Sequence, residues 1–258
     1  MTLSLDAVRQ AALELATRRR AGQHGPRLAD ACRPVTLADA LAIQREVSAH
    51  MGDAIGGWKC GTPSDERIVV APIYQQTISS DESCAVWSAQ GQVRVEPELA
   101  FVMAHDLPPR ERAYDSAEVA SAVARVHLAL ELIDSRYDEQ AELAFPDRLA
   151  DGLVNQGLWL GPSIPWAQAQ AARQFPVQWS AGEGSPVTLS GQHPNDDPLA
   201  PLHWLVDHLR TTGQGLRAGQ VVITGSYAGT FPCPLDQTLH FAYGDLGRFT
   251  VRFQARSN

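Results

Sequence analysis

Glu96 and Glu98 stand two apart in the run Val95-Glu96-Pro97-Glu98-Leu99-Ala100-Phe101-Val102. In a β-strand that spacing points both carboxylates to one face of the sheet. Neighbouring carboxylates repel, so on an enclosed face they must share a proton or bind a cation. A third acid, Glu131, sits in the apolar run Leu128-Ala129-Leu130-Glu131-Leu132-Ile133. A bare charge there is costly unless a metal or another cation meets it. Three carboxylates on strands, with no His or Cys among them, suit a hard oxygen-ligand ion such as Mg²⁺ or Mn²⁺. The plainer alternative is an edge strand with a solvated acidic face, Pro97 marking the edge or a bulge.

Lys59 is the second candidate. It is the only lysine among 21 basic Lys and Arg residues. A chain that uses arginine wherever charge suffices retains lysine where a compact ammonium with a movable pKa is needed. Lys59 lies in Gly56-Gly57-Trp58-Lys59-Cys60-Gly61, where glycines allow close backbone approach. The alternative is a surface lysine in a turn. Third, Val221-Val222-Ile223 runs into Thr224-Gly225-Ser226, two hydroxyls and a backbone N–H that can hold a carboxylate. An ordinary glycine turn accounts for that segment equally well.

The chain around these residues is 258 long, 44% hydrophobic and 19% charged, the composition of a globular protein with room for a large core. A net charge of −8 and a pI near 5.4 argue against a nucleic-acid partner. Arg18-Arg19-Arg20, the one basic run, is expected at the solvated end of an N-terminal helix. Cys32, Cys60, Cys84 and Cys233 form no C-x-x-C pair and suit reduced thiols. The opening segment from Met1 to Ala16 has the pattern of an amphipathic helix rather than a signal peptide. No stretch approaches the roughly 20 apolar residues of a membrane span. The expected setting is the cytoplasm, without membrane contact.

Hydrophobic periodicity predicts helices over 3–20 and 37–50, the second capped by Thr36. These form an N-terminal helical part, residues 1–54, that looks like an appendage to a β-rich domain over 55–258. Short β-type runs follow, among them 56–60, 67–71, 92–104, 127–134, 153–161, 220–224 and 247–254. Helices interrupt at 116–125, with an Asp115/Glu118 capping box, and at 199–212. Many strands and few helices make a β-rich α+β protein with an antiparallel or mixed sheet. Neither a G-x-S-x-G elbow nor a G-x-G-x-x-G or Walker A loop is present. His203 and His208, five apart, have the wrong offset for a shared metal-binding face.

Taken in order, several segments resemble the fumarylacetoacetate hydrolase superfamily, on its 2-keto-4-pentenoate hydratase and 4-oxalocrotonate decarboxylase branch. They are Ala42-Ile43-Gln44, Gly57-Trp58-Lys59-Cys60-Gly61, Glu96-Pro97-Glu98, and Ala129 through Arg136. Gly219 through Ser226 and Leu246 through Phe253 complete the set, which spans about residue 35 to the C-terminus. The resemblance implies a mixed β-sandwich roll with an N-terminal helical part and a divalent ion held by Glu96, Glu98 and Glu131. It also puts Lys59 in the active site and Thr224, Gly225 and Ser226 at the substrate, in a self-associating enzyme of aromatic catabolism.

Two departures stand out. Pro72-Ile73-Tyr74 occupies the place of a segment whose Asp is thought to act on substrate or water, and Val154 and Asn155 replace small hydroxyl residues. Three carboxylates, a divalent ion and a protonated Lys59 carry no net charge together. A 2-oxo acid could then chelate the ion, which would stabilise an enolate at C3. Lys59, its pKa lowered by ion and burial, would move protons. The expected activity is a metal-dependent hydratase-type lyase on a 2-oxo-alkenoate. Alternatives are a decarboxylase of the same branch, a C–C bond hydrolase and a non-catalytic 2-oxo-acid-binding subunit. The hydrolase needs a general base for water; no residue plainly supplies one, although His105 and His193 lie in flexible-looking surroundings.

Overall fold

The computed structural model describes residues 2–64 and 67–256; Met1, Asp65, Glu66, Ser257 and Asn258 lie outside the described residues. Two helices open the chain, α1 (Leu5–Ala21) and α2 (Leu37–Met51). Thr36 and Asp39 cap α2 reciprocally, and Asp39 also accepts the backbone N–H of Leu3, pinning the N-terminus to this helix. Strands β1 (Ile55–Ser64), β2 (Arg67–Tyr74), β3 (Ile78–Ser79), β4 (Ser83–Val86) and β5 (Gln92–Met103) follow. Helix α3 (Ser116–Ser121) leads into β6 (Val123–Ile133), and α4 (Phe145–Ala150) precedes β7 (Asn155–Ile164). After α5 (Trp166–Ala171) come β8 (Gln174–Ala181), β9 (Val187–Gln192) and α6 (Ala200–Thr211). The chain closes with β10 (Val221–Ile223), β11 (Phe231–Pro234), β12 (Thr238–Tyr243) and β13 (Gly247–Ala255).

The strands form two sheets. The larger runs β2-β1-β10-β5-β6-β7-β3 with β11 also on β5, and the smaller runs β4-β13-β12-β8-β9. Parallel pairs β1–β10, β3–β7 and β4–β13 make both sheets mixed, as the expected β-rich α+β roll requires. Alternate residues of β5 and β6 (Leu99, Phe101, Leu128, Leu130) pack against Leu239, Phe241, Val251 and Phe253 of the smaller sheet in the main core. The opposite face of β5 and β6 is left to the acids. The predicted helix over 116–125 stops at Ser121, and Val123 through Arg125 belong to β6. The sheet takes these residues because β6 pairs with β5 as far as Val123↔Met103.

Strand β5 is no edge strand, and this overturns the solvated-edge alternative. On one side β6 pairs along its length; on the other β10 covers Ala100–Val102 and β11 covers Gln92–Val95. Between β10 and β11 the chain leaves the sheet, opposite residues 96–99. Pro97, which has no N–H to give a ladder, falls in that gap. Its carbonyl accepts the Tyr227 N–H at 2.9 Å.

Arg18 and Arg19 depart from expectation too: both are buried, at 8% exposure, not solvated. The helices share an apolar cluster with Tyr137, Leu149 and Ala150. Arg18 donates to Arg136 O and Pro26 O and pairs with the Glu14 carboxylate, while Arg19 donates to Asp151 O and Asn155 O. Gln44 likewise donates to Val70 O and Leu149 O. No helix among the described residues is long and apolar enough to cross a membrane.

Strand β1 reaches β10 through glycine. A Cβ on Gly57 would lie 2.4 Å from the Val221 carbonyl oxygen, whereas one on Gly61 would meet only the Val69 side chain at 3.2 Å. Gly57→Ala should therefore cost about 1–3 kcal/mol in urea denaturation, and Gly61→Ala clearly less. Equal losses would contradict this strand packing.

Candidate metal centre

Glu96 and Glu131 face one another directly across β5 and β6, and Glu98 lies one same-face step along β5, opposite Ala129. One carboxylate oxygen from each falls within 4.8 Å of the others. Like charges directly opposite in a sheet destabilise it. Burial sharpens the conflict: Glu131 is fully buried, Glu98 2% exposed and Glu96 half-buried.

Each acid meets donors. Glu131 Oε1 accepts Lys59 Nζ at 2.7 Å and Asn155 Nδ2 at 2.9 Å, while its Oε2 is buried without a protein partner. Glu98 Oε2 accepts the Gly225 N–H at 2.7 Å, and Thr230 Oγ1 donates to Glu96. Burial, then the charges of Glu131 and Glu96, push the Glu98 carboxyl well above its ordinary range. Glu131 is also raised, by burial against the opposing pull of Lys59. An orphaned carboxylate oxygen beside two further acids fits a hard divalent cation. Metal–oxygen distances of about 2.0–2.6 Å put opposed ligands roughly 4–5 Å apart.

Lys59 reaches this cluster from two strands away. Ala100, Ile223, Lys59 and Ala71 form one lateral row across β5, β10, β1 and β2. Ala100 shares the face of Glu98, and so does Lys59. Its ammonium also donates to Leu153 O at 3.2 Å. From the protein's own groups its pKa is raised, not lowered as burial alone would have it. Burial pulls it down, but the charges of Glu131, Glu96 and Glu98 outweigh burial and raise it.

The Thr224-Gly225-Ser226 turn lies in the β10–β11 gap, beside Glu98. Ser226 Oγ donates to Gly229 O inside the turn. Thr224 is buried against His193, whose Nε2 lies 3.4 Å from Oγ1. His193 is itself buried, not in flexible surroundings, and burial lowers it to about 4. Its Nδ1 accepts the Asn195 N–H at 3.2 Å, so the neutral ring carries its proton on Nε2. That proton faces Thr224, so the threonine hydroxyl need not donate to His193. His105 is exposed.

Ile73, in the place of the family's acid, is fully buried in an apolar cluster with Ala100, Ala129, Leu158 and Ile223. It pairs with Gly57, which shares the face of Lys59. Sequence reasoning missed Thr230, the Leu153 carbonyl and the bond from Asn155 to Glu131. Only Asn155 left a signal, an amide where the family carries a hydroxyl. The segment Gly152-Leu153-Val154 is left-handed throughout, with φ of 71°, 52° and 58°. For β-branched Val154 that conformation costs roughly 1–2 kcal/mol.

No family model matches the chain. In sequence it is 29% identical over 244 residues to a 2-oxo-hept-4-ene-1,7-dioate hydratase of Escherichia coli, covering 85% of this chain and 87% of that protein. It is 27% identical over 213 residues to a 2-keto-4-pentenoate hydratase of Paraburkholderia xenovorans (strain LB400), covering 77% of each. Its fold matches 4-oxalocrotonate decarboxylase from Pseudomonas putida G7, complexed with magnesium and adipate, at a TM-score of 0.80 and 20% identity. That match covers 98% of this chain and 100% of the other. A fumarylacetoacetate hydrolase family protein of yeast shares the fold more distantly, at a TM-score of 0.52, 15% identity and 78% and 93% coverage. In sequence and fold the chain is thus similar to the fumarylacetoacetate hydrolase superfamily, on its hydratase and decarboxylase branch.

A carboxyl whose folded-state pKa is raised favours the fold fully below its ordinary value of 4.5, and that contribution is lost as pH rises through the raised value. The metal-free protein should therefore lose thermal stability as pH rises above that ordinary value. Mg²⁺ takes the proton's place, so its gain in Tm should be larger at pH 8 than at pH 5. Glu131→Gln should lose most of that gain. An equal Mg²⁺ shift in the variant and the parent would contradict the site.

Proposed function

We propose that the chain is a divalent-metal-dependent lyase of the 2-keto-4-pentenoate hydratase type, acting on a 2-oxo- or 2-hydroxy-alkenoate by enolisation at C3. The Lys59–Glu131 pair beside two further carboxylates carries this reading, because it sets a held proton next to a donor set for a hard cation. The relatives named as hydratases support the reaction class. The magnesium and adipate of the decarboxylase structure support a divalent ion and a carboxylate ligand.

Glu96, Glu98 and Glu131 would hold Mg²⁺ or Mn²⁺, which would supply Lewis-acid charge for a bound 2-oxo acid. Lys59, kept protonated by its carboxylate neighbours, gives the Nζ proton to C3 of the enolate, becoming a neutral amine, and takes it back in the reverse direction. Asn155 and the Leu153 carbonyl hold this pair in place. Gly225 fixes Glu98 through its backbone N–H, and Thr224, whose hydroxyl need not donate to His193, is the turn's donor to the substrate carboxylate. Decarboxylation is the second reading. Ile73 leaves an apolar surface where hydration would use an acid on water, and loss of CO₂ needs no such group. The reading includes a homo-oligomer in a reducing cytoplasm; four buried free cysteines and exposed Leu5, Leu13 and Val35 support it.

A panel of 2-oxo acids assayed for turnover with and without Mg²⁺ separates hydratase from decarboxylase. C3 deuterium exchange of 2-oxopentanoate in heavy water tests the shared step. Lys59→Arg keeps the charge but fixes the proton, so exchange should be abolished with Mg²⁺ affinity retained. Exchange as fast as the parent's would reduce Lys59 to a counter-charge.

Thr224→Val removes the hydroxyl and leaves a ligand oxygen without its donor, a loss of about 1–3 kcal/mol. Calorimetry should find 2-oxopentanoate bound roughly tenfold more weakly or worse, with Mg²⁺ affinity unchanged. Parent-like affinity for the acid would remove Thr224 from the substrate site.

A further inference from the structure

The turn that supplies Leu153 O and Asn155 to the reacting pair is not held by local sequence alone. Its left-handed residues include Val154, a type that resists that conformation. Its two flanking carbonyls, of Asp151 and Asn155, both accept from one guanidinium: Arg19 Nη2 at 2.8 Å and Nη1 at 2.7 Å. Arg19 arrives from α1, more than 130 residues earlier in sequence. It is buried, and both of these bonds go to carbonyls rather than to a carboxylate. Burying a cation without a carboxylate is costly, and the fork geometry explains why arginine stands here, since two carbonyls a turn apart need two donors in one plane. Arg136 secures the Asp151 end through the side chain and carbonyl of that residue, and Arg18 donates to Arg136 O. Inside the turn, Val154 O accepts from Asp134 N at 2.8 Å.

We propose that Arg19 is a positioning residue for the Lys59–Glu131 pair: it clamps the carbonyls of Asp151 and Asn155 and so holds the left-handed turn that presents Leu153 O to Lys59 and the Asn155 amide to Glu131. The N-terminal helix is by this route part of the active-site machinery. The inference rests on the proposed role of Lys59, but its primary test does not need a substrate.

Because Lys59 is the sole lysine, ¹⁵N-lysine labelling gives one side-chain ammonium resonance in the full-length protein. The parent should show it sharp and slowly exchanging. Arg19→Met should broaden it or lose it to solvent exchange. Mg²⁺-dependent C3 deuterium exchange of 2-oxopentanoate should fall about a hundredfold in rate, the scale of a roughly 1 Å misplacement, with little change in KM. Adding Val154→Gly to Arg19→Met should restore the resonance and most of the rate, because glycine takes the left-handed conformation without strain. A purely structural role for Arg19 predicts no such rescue. Arg19→Gln, whose amide can donate to only one carbonyl and adds no second lysine, should fall between, and it carries the test should Arg19→Met not fold. A parent-like Lys59 resonance in folded Arg19→Met or Arg19→Gln, or failure of Val154→Gly to rescue, would overturn the proposal. Absence of 2-oxopentanoate exchange in the parent, with the resonance behaving as expected, would count against the substrate reading and leave the clamp standing.

Discussion

Three carboxylates on one face of β5 and β6 repel one another where water cannot screen them, and the surrounding structure answers that repulsion. Two unit charges about 4 Å apart cost roughly 4 kcal/mol at an effective dielectric of ~20. A domain's whole net stability is about 5–15 kcal/mol, so three such acids cannot stay ionised without compensation. Lys59, Asn155, the Gly225 N–H and Thr230 each neutralise or bind one oxygen. They still leave Glu131 Oε2 unmet and Glu98 raised. That unsatisfied charge is what a divalent ion would complete in the proposed site.

The topology makes room for these answers. If β10 ran on into β11, the backbone opposite Glu96 and Glu98 would be a plain ladder and Pro97 would interrupt it. The chain instead departs after Ile223 and returns at Phe231, and the excursion carries Gly225, Tyr227 and Thr230 to β5. On the other flank the turn before β7 brings Leu153 and Asn155 to the lysine and the buried acid. The same face is floored by Ala100, Ala129, Ile223 and Ile73, apolar side chains that intensify every charge above them.

The legible part of the site was the part written locally. The two-residue spacing of Glu96 and Glu98 survives any strand pairing, and an acid amid Leu130 and Leu132 signals burial whatever its partners. Lys59 stood out by composition. The Thr36 N-cap and the Asp115/Glu118 capping box were likewise local and formed as expected. The rest depended on distant pairings. Arg18 and Arg19 looked like a solvated helix end because Arg136 O, Asp151 O and Asn155 O, which receive them, lie beyond residue 130. The direction of the Lys59 shift required knowing that three acids surround its ammonium, since burial alone points the other way. Helix α3 ended early because β5 offered β6 a longer ladder than local propensity could foresee.

The ion itself is the most direct test. Crystals soaked in Mn²⁺ and measured at its absorption edge should give a single anomalous peak bounded by Glu96, Glu98 and Glu131. A peak elsewhere, or none with the three carboxyls hydrogen-bonded to one another, would contradict the claim that this cluster is a metal centre.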